Sequence, residues 1–280
     1  MEALARRLSE RVAGSEVSRV ELAALSALRT FDPPPEALVG RRAEGCERRG
    51  KYLCLATRDG PWLVAHLARG GWLRWRDELP DARVRPGRGP LALRVGFGAG
   101  GFELSEAGTE KRLGVWVVHD PGAVPGVARL GVDPLSPDFT VDALASLLAG
   151  RNGPVKQVLV DQSTIAGVGN AYSDEALHAA RLSPFRPAAR LGGDEVARLH
   201  DALVGVLGDA LGASLGLPES RLKDAKRAGM AVHGRTGSEC PVCGDTVREV
   251  SFATRSWQYC PTCQTGGRPL ADRRLSRLLR

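Results

Sequence analysis

Four cysteines, Cys240, Cys243, Cys260 and Cys263, form two Cys-x-x-Cys knuckles separated by 16 residues. Thiolates in that spacing suit one tetrahedral zinc ion, because each knuckle turns tightly enough to aim two sulfurs at a common centre. Between the knuckles, Thr246–Phe252 alternates like one strand and Ser256–Tyr259 like the next, so a hairpin brings the second pair beside the first. Two disulfides or unliganded core cysteines are the alternative. A hairpin this small has little core of its own, so the zinc is structural and the ribbon is a rigid tool mounted on a larger body.

Charge indicates what the tool touches. Residues 221–280 carry twelve Arg or Lys against five Asp or Glu, a net +7 that equals the net charge of the whole chain. The preceding residues balance to zero. A basic excess confined to the ribbon and its flanks, beside Arg255, Trp257 and Tyr259, is the footprint of nucleic-acid binding. A solvated basic tail is the plainer alternative.

The body that carries the ribbon has room for about two domains in 280 residues. Hydrophobic content of 43% and charged content of 25% are those of a globular protein. Short, interrupted apolar runs and no charged-then-apolar leader predict a chain that neither spans a membrane nor is secreted. Cys46 and Cys54 read as small buried thiols of a reducing cytoplasm. Leu4, Leu8 and Val12 predict an amphipathic helix over Glu2–Ala13, closed by Gly14. Seven β-like segments follow: 18–22, 49–55, 62–67, 72–75, 91–95, 102–104 and 114–118. A glycine-rich hairpin turn lies at 96–101. That turn is no phosphate loop, since no Lys-Ser/Thr and no helix follow. Beyond Pro137 the period becomes helical, over 141–148, 155–160, 171–180 and 194–211, and a polar, basic loop over 221–237 leads to the ribbon. The expected class is α+β and multidomain: a β-sandwich with a flanking helix over 1–130, a helical domain over 131–237 and the zinc ribbon with its basic tail over 238–280.

Within the helical part, Gly167-Val-Gly-Asn170 turns tightly into a helix with Asn170 as candidate N-cap. Unpaired N–H groups there would offer a phosphate site, although the same glycines also serve as plain turn chemistry. Together with Arg48-Arg-Gly-Lys-Tyr-Leu53, His66-Leu-Ala-Arg-Gly-Gly71, Val232-His-Gly-Arg-Thr-Gly237 and the four cysteines, this order of motifs resembles the formamidopyrimidine-DNA glycosylase and endonuclease VIII family over nearly the whole chain. The resemblance implies a helix-two-turn-helix module and a monomeric base-excision repair enzyme of the cytoplasm and nucleoid. Such an enzyme flips a lesion from damaged double-stranded DNA and cuts its glycosidic bond, with AP lyase activity. Lys51 matches a lysine that contacts phosphate and assists catalysis. Lys156, Asn170 and Arg255 match phosphate contacts, and Arg112 an arginine that fills the space the base vacates. Arg69 and Leu113 depart from the methionine and phenylalanine wedges common in the family.

A further departure touches the chemistry. The family uses the amine of an N-terminal proline followed by a catalytic glutamate, Pro-Glu-Leu-Pro-Glu-Val-Glu, and a terminal amine with pKa near 8 is far more nucleophilic at neutral pH than lysine near 10.4. Here Met1-Glu2 align with the last Val-Glu, so Glu2 matches a different position from the catalytic glutamate. The expectation is a natural start about seven residues upstream of Met1, with residues 1–280 alone inactive. A non-catalytic damaged-DNA-binding protein is the second reading, and an RNA-binding zinc-ribbon protein a third that the duplex-type module disfavours.

Overall fold

The computed structural model describes residues 1–87, 89–98, 100–252 and 255–271, in two compact units. The first comprises Met1–Arg129 with Leu217–Arg221, the second Leu130–Gly216 with Leu222–Arg280.

In the first unit, helix α1 (Glu2–Val12) buries Leu4, Ala5, Leu8 and Val12, the stripe its spacing predicts. Two four-stranded antiparallel sheets follow, in a sandwich-like arrangement. One orders β1 (Val17–Leu22), β6 (Leu91–Phe97), β7 (Gly100–Glu106) and β5 (Gly71–Arg76). The other orders β2 (Ala43–Arg49), β3 (Tyr52–Thr57), β4 (Trp62–His66) and β8 (Gly114–Val118). Leu93, Val95 and Leu104 of the first sheet, and Cys54, Leu55, Leu63, Val64 and Val115 of the second, are buried. The short helix α2 is Pro125–Ala128.

The segment 49–55, expected as one strand, is instead a hairpin. Arg49 pairs with Tyr52 across Gly50 and Lys51, and Gly50 has φ +56°, which a two-residue turn requires and a Cβ opposes. Strand β2 carries no sequence signal because Ala43–Arg49 contains four charged residues, so its pattern is not apolar.

The second unit packs α3 (Val141–Leu148), α4 (Val155–Val160), α5 (Asn170–Ala179) and α6 (Gly193–Ser214) around Leu144, Leu159, Ile165, Val168, Leu177, Leu199 and Leu203. The polar stretch expected as a loop contains a helix, α7 (Leu222–Ala228), which buries none of its residues and so leaves no apolar stripe to read. The ribbon follows with β9 (Arg248–Ser251), β10 (Ser256–Tyr259) and α8 (Pro261–Thr265).

Candidate nucleic-acid interface and zinc ribbon

The ribbon is built as its spacing predicts. Strands β9 and β10 pair antiparallel, Ser256 opposite Ser251 and Tyr259 opposite Arg248. The first knuckle closes with Gly244 N donating to Cys240 O at 2.9 Å, and the second opens α8 with Pro261 in its first turn. Cys240 and Cys263 sulfurs lie 3.9 Å apart and those of Cys243 and Cys260 3.3 Å. A tetrahedron with bonds of about 2.3 Å has edges of about 3.8 Å, so this donor set fits one zinc ion. Asp245 ties the knuckles together, accepting from Thr262 N at 3.1 Å, Thr262 Oγ1 at 2.9 Å and Thr246 N at 2.7 Å. The cluster around the sulfurs comprises Val232, Cys240, Val247 and Cys260, with Cys263 against it, and a group this small leaves the ion to supply much of its cohesion.

Helix α5 organises what lies beside the ribbon. Its N-cap is Gly169, not Asn170. Asn170 is the first helical residue, and its Nδ2 donates to Ser256 O at 2.9 Å. One turn on, the buried Asp174 takes the Lys156 ammonium on Oδ1, accepts from Gln258 N at 3.2 Å, and meets His233 Nδ1 at 2.8 Å through Oδ2. Glu175 accepts from the backbone N–H groups of Ala231 at 2.7 Å, Val232 at 3.0 Å and His233 at 2.7 Å. Lys156, expected at a phosphate, is 0% exposed, with its Nζ 5.5 Å from the Trp257 ring. Burial lowers its pKa to about 8 against the opposing pull of Asp174. Arg255 is exposed, with its guanidinium 5.9 Å from both the Phe252 and the Trp257 ring centroids. Asn170 and Arg255 thus meet on β10 and its entry, while Lys156 underlies them.

In the first unit Lys51 occupies the β2–β3 turn. Burial lowers the pKa of His66, which pairs across from Tyr52, and the Lys51 charge lowers it further. The Tyr52 ring packs at 4.9 Å on His66 and 5.9 Å on Trp116. Residue spacing gives His66 no role, although it opens one of the quoted motifs; its placement beside Lys51 comes from strand register. Arg112 is exposed and paired with the exposed Glu110 at 2.8 Å, a pair of little energetic weight. Its backbone is held more firmly, since the buried Glu106 carboxylate accepts from Arg112 N at 2.8 Å and Leu113 N at 2.9 Å. Leu113 itself is 2% exposed and packs inward, whereas Arg69 is exposed. Glu2 accepts from Arg6 Nε and Arg48 Nε, each at 2.8 Å. Burial pushes the Glu2 carboxyl up, but those bonds outweigh it and hold its pKa below the usual carboxylate value.

Three family models match the chain: the formamidopyrimidine-DNA glycosylase N-terminal domain over residues 1–104, the formamidopyrimidine-DNA glycosylase H2TH domain over 130–217, and the zinc finger found in FPG and IleRS over 237–266. An uncharacterised formamidopyrimidine-DNA glycosylase-like protein of Mycobacterium tuberculosis is 58% identical over 156 residues, covering 56% of this chain and 98% of its own length. The formamidopyrimidine-DNA glycosylase of Symbiobacterium thermophilum is 38% identical, over 94% of this chain and 87% of its own. Among solved structures, the MutM (Fpg) protein of Thermus thermophilus superposes with TM-score 0.80 at 32% identity, covering 96% of this chain and 98% of that one. Lactococcus lactis formamidopyrimidine-DNA glycosylase, non-covalently bound to DNA containing an AP site, gives TM-score 0.82 at 25% identity, covering 94% and 97%. Fold, ribbon and relatives agree, and the chain belongs to the formamidopyrimidine-DNA glycosylase family.

Proposed function

We propose that the protein is a base-excision repair DNA glycosylase with AP lyase activity that acts as a monomer on oxidised bases in duplex DNA of the cytoplasm. The observation that carries this reading beyond family membership is the Asn170 Nδ2 bond to Ser256 O. It fixes the start of α5, whose first N–H groups suit a phosphate, beside the strand that Arg255 leads. Asn170 and Arg255 hold backbone phosphates in this reading. The buried Lys156 stiffens their support, with its ammonium reserved for Asp174. Lys51 contacts phosphate near the reacting sugar, Arg112 enters the space left by the flipped base, and Cys240, Cys243, Cys260 and Cys263 bind the zinc. Glu2 is engaged by Arg6 and Arg48, and in the family the acid–base work and the amine nucleophile belong to a Pro-Glu opening.

The test is borohydride trapping on an 8-oxoguanine duplex and on an AP-site duplex, with two chains compared. One is residues 1–280; the other carries Pro-Glu-Leu-Pro-Glu-Val in place of Met1. Both should bind the AP-site duplex more tightly than intact DNA, and only the second should be trapped covalently. Absence of any preference for damaged DNA in both chains would overturn the reading, and trapping of residues 1–280 would place the nucleophile within them.

A further inference from the structure

The donors at the ribbon include one that the knuckle spacing does not announce. His178, in the last turn of α5, is 5% exposed, and its Nε2 lies 3.3 Å from Cys240 Sγ. Its imidazole and the sulfurs of Cys240, Cys260 and Cys263 all lie within 4.8 Å of one another. That compact group leaves out Cys243, whose sulfur is 3.3 Å from Cys260 and which is the exposed cysteine of the four. The imidazole therefore stands with the other three sulfurs as a fourth donor.

We propose that His178 is a reserve zinc ligand, so that loss of the Cys243 thiolate leaves the ion held by Cys240, Cys260, Cys263 and His178 Nε2. With four thiolates in place, 3.3 Å suits an Nε2–H donated to the Cys240 sulfur, the kind of hydrogen bond that commonly orients a metal-bound side chain. The same distance is close to the roughly 3.5 Å that separates a nitrogen and a sulfur bound to one tetrahedral zinc. The change of role thus needs a shift of tautomer and a small movement of the ion, not a new rotamer. Neutral imidazole is an ordinary zinc ligand, and three thiolates with one histidine is a common structural set. The asymmetry has a use: Cys243 is the sulfur most open to solvent, and it is the one whose place can be filled. Cys240, Cys260 and Cys263 belong to both donor sets, so losing any of them removes a ligand that His178 does not replace.

The test uses the full chain as wild type, Cys243→Ser, Cys260→Ser, His178→Phe and the double variant Cys243→Ser/His178→Phe. Each is measured by zinc content, chelator competition and the cobalt(II) absorption spectrum. Cys243→Ser should keep one zinc with affinity within roughly tenfold of wild type, whereas Cys260→Ser should lose it, and the double variant should fall a further roughly hundredfold. The sulfur-to-cobalt charge-transfer band of Cys243→Ser should drop by about a quarter as four thiolates become three, with its d–d bands shifted to shorter wavelength. Equal zinc loss in Cys243→Ser and Cys260→Ser overturns the proposal. So does a double variant that keeps the affinity and spectrum of Cys243→Ser, which would make water or the serine the fourth ligand. If His178→Phe alone disrupts the ribbon, cadmium-113 coupling to nitrogen-15-labelled histidine in Cys243→Ser decides: coupling at Nε2 supports the bond, and no coupling overturns it.

Discussion

Arg255 holds its charge over two rings, Phe252 and Trp257, whose centroids lie 4.7 Å apart. A guanidinium so placed keeps its donors free to face outward while its plane is supported. Arg255→Ala should weaken damaged and intact duplexes alike and reduce the slope of log affinity against log salt by about one, as titrations at several salt concentrations would read. Asn170→Asp should do more harm, since it replaces the donor to Ser256 O with an acceptor and adds a negative charge at the proposed phosphate site. Unchanged salt slopes in both variants would show that this face does not grip the backbone. Glu2 gives a residue-scale dependence on pH. Its native pKa is depressed below 4.5, so its pairing with Arg6 and Arg48 contributes stability that is fully present above that value and lost as pH falls through the native pKa. Glu2→Gln should lower the thermal midpoint of the first unit near neutrality and flatten its decline with acid. The effect is below about 1 kcal/mol because the carboxylate is partly exposed. Asn170 and Arg255 were legible in the sequence as motif positions. The burial of Lys156 was not, since a lysine in a six-residue helix looks the same whether it faces solvent or a carboxylate 18 positions away.

At the scale of elements, α5 matters more than its length suggests. Asn170, Asp174 and His178 recur every four residues, so one face of the helix meets Ser256, then Gln258 with Lys156, then Cys240. Glu175 anchors the backbone at 231–233 that leads into the ribbon. The ribbon hairpin is thereby hung on a helix by polar bonds, in addition to its buried Val250, Trp257 and Tyr259. Asp174→Asn is expected to strand the Lys156 ammonium in a site with no solvent and cost the second unit roughly 3–5 kcal/mol, measurable by chemical denaturation. Lys156→Met in the same background should recover part of that loss, because the stranded charge is then gone. No recovery would mean that the cost lies in the Gln258 and His233 bonds instead. The β2–β3 hairpin shows the complementary case: one glycine with φ +56° converts what reads as a strand into a turn and sets Lys51 at its tip.

At the scale of the whole molecule, the ion and the apolar cores divide the labour. The first unit has its own buried sandwich interior and the helical part its own core, whereas the ribbon depends on metal. Removing zinc with a chelator should therefore erase the near-ultraviolet signal of Trp257 and most DNA binding, while the far-ultraviolet signal and thermal midpoint of the β-rich unit persist. A chelated protein that still binds duplex DNA at full affinity would show that the ribbon is dispensable for recognition. No helix among the described residues is long and apolar enough to cross a membrane.

Residue order alone was enough to read the zinc ribbon, the amphipathic α1, most of the strands, the helical core and the family. Each of these depends on spacing along the chain: two knuckles, a period of two, a period near four, an order of motifs. Packing in three dimensions made Lys156 an interior cation, turned Leu113 inward, set Asn170 after its cap and stood His178 at the sulfurs. The physical reason is shared by all four. Burial and partnership between residues such as His178 and Cys240, 62 positions apart, are settled by how elements pack, and no local pattern of residue types records that packing.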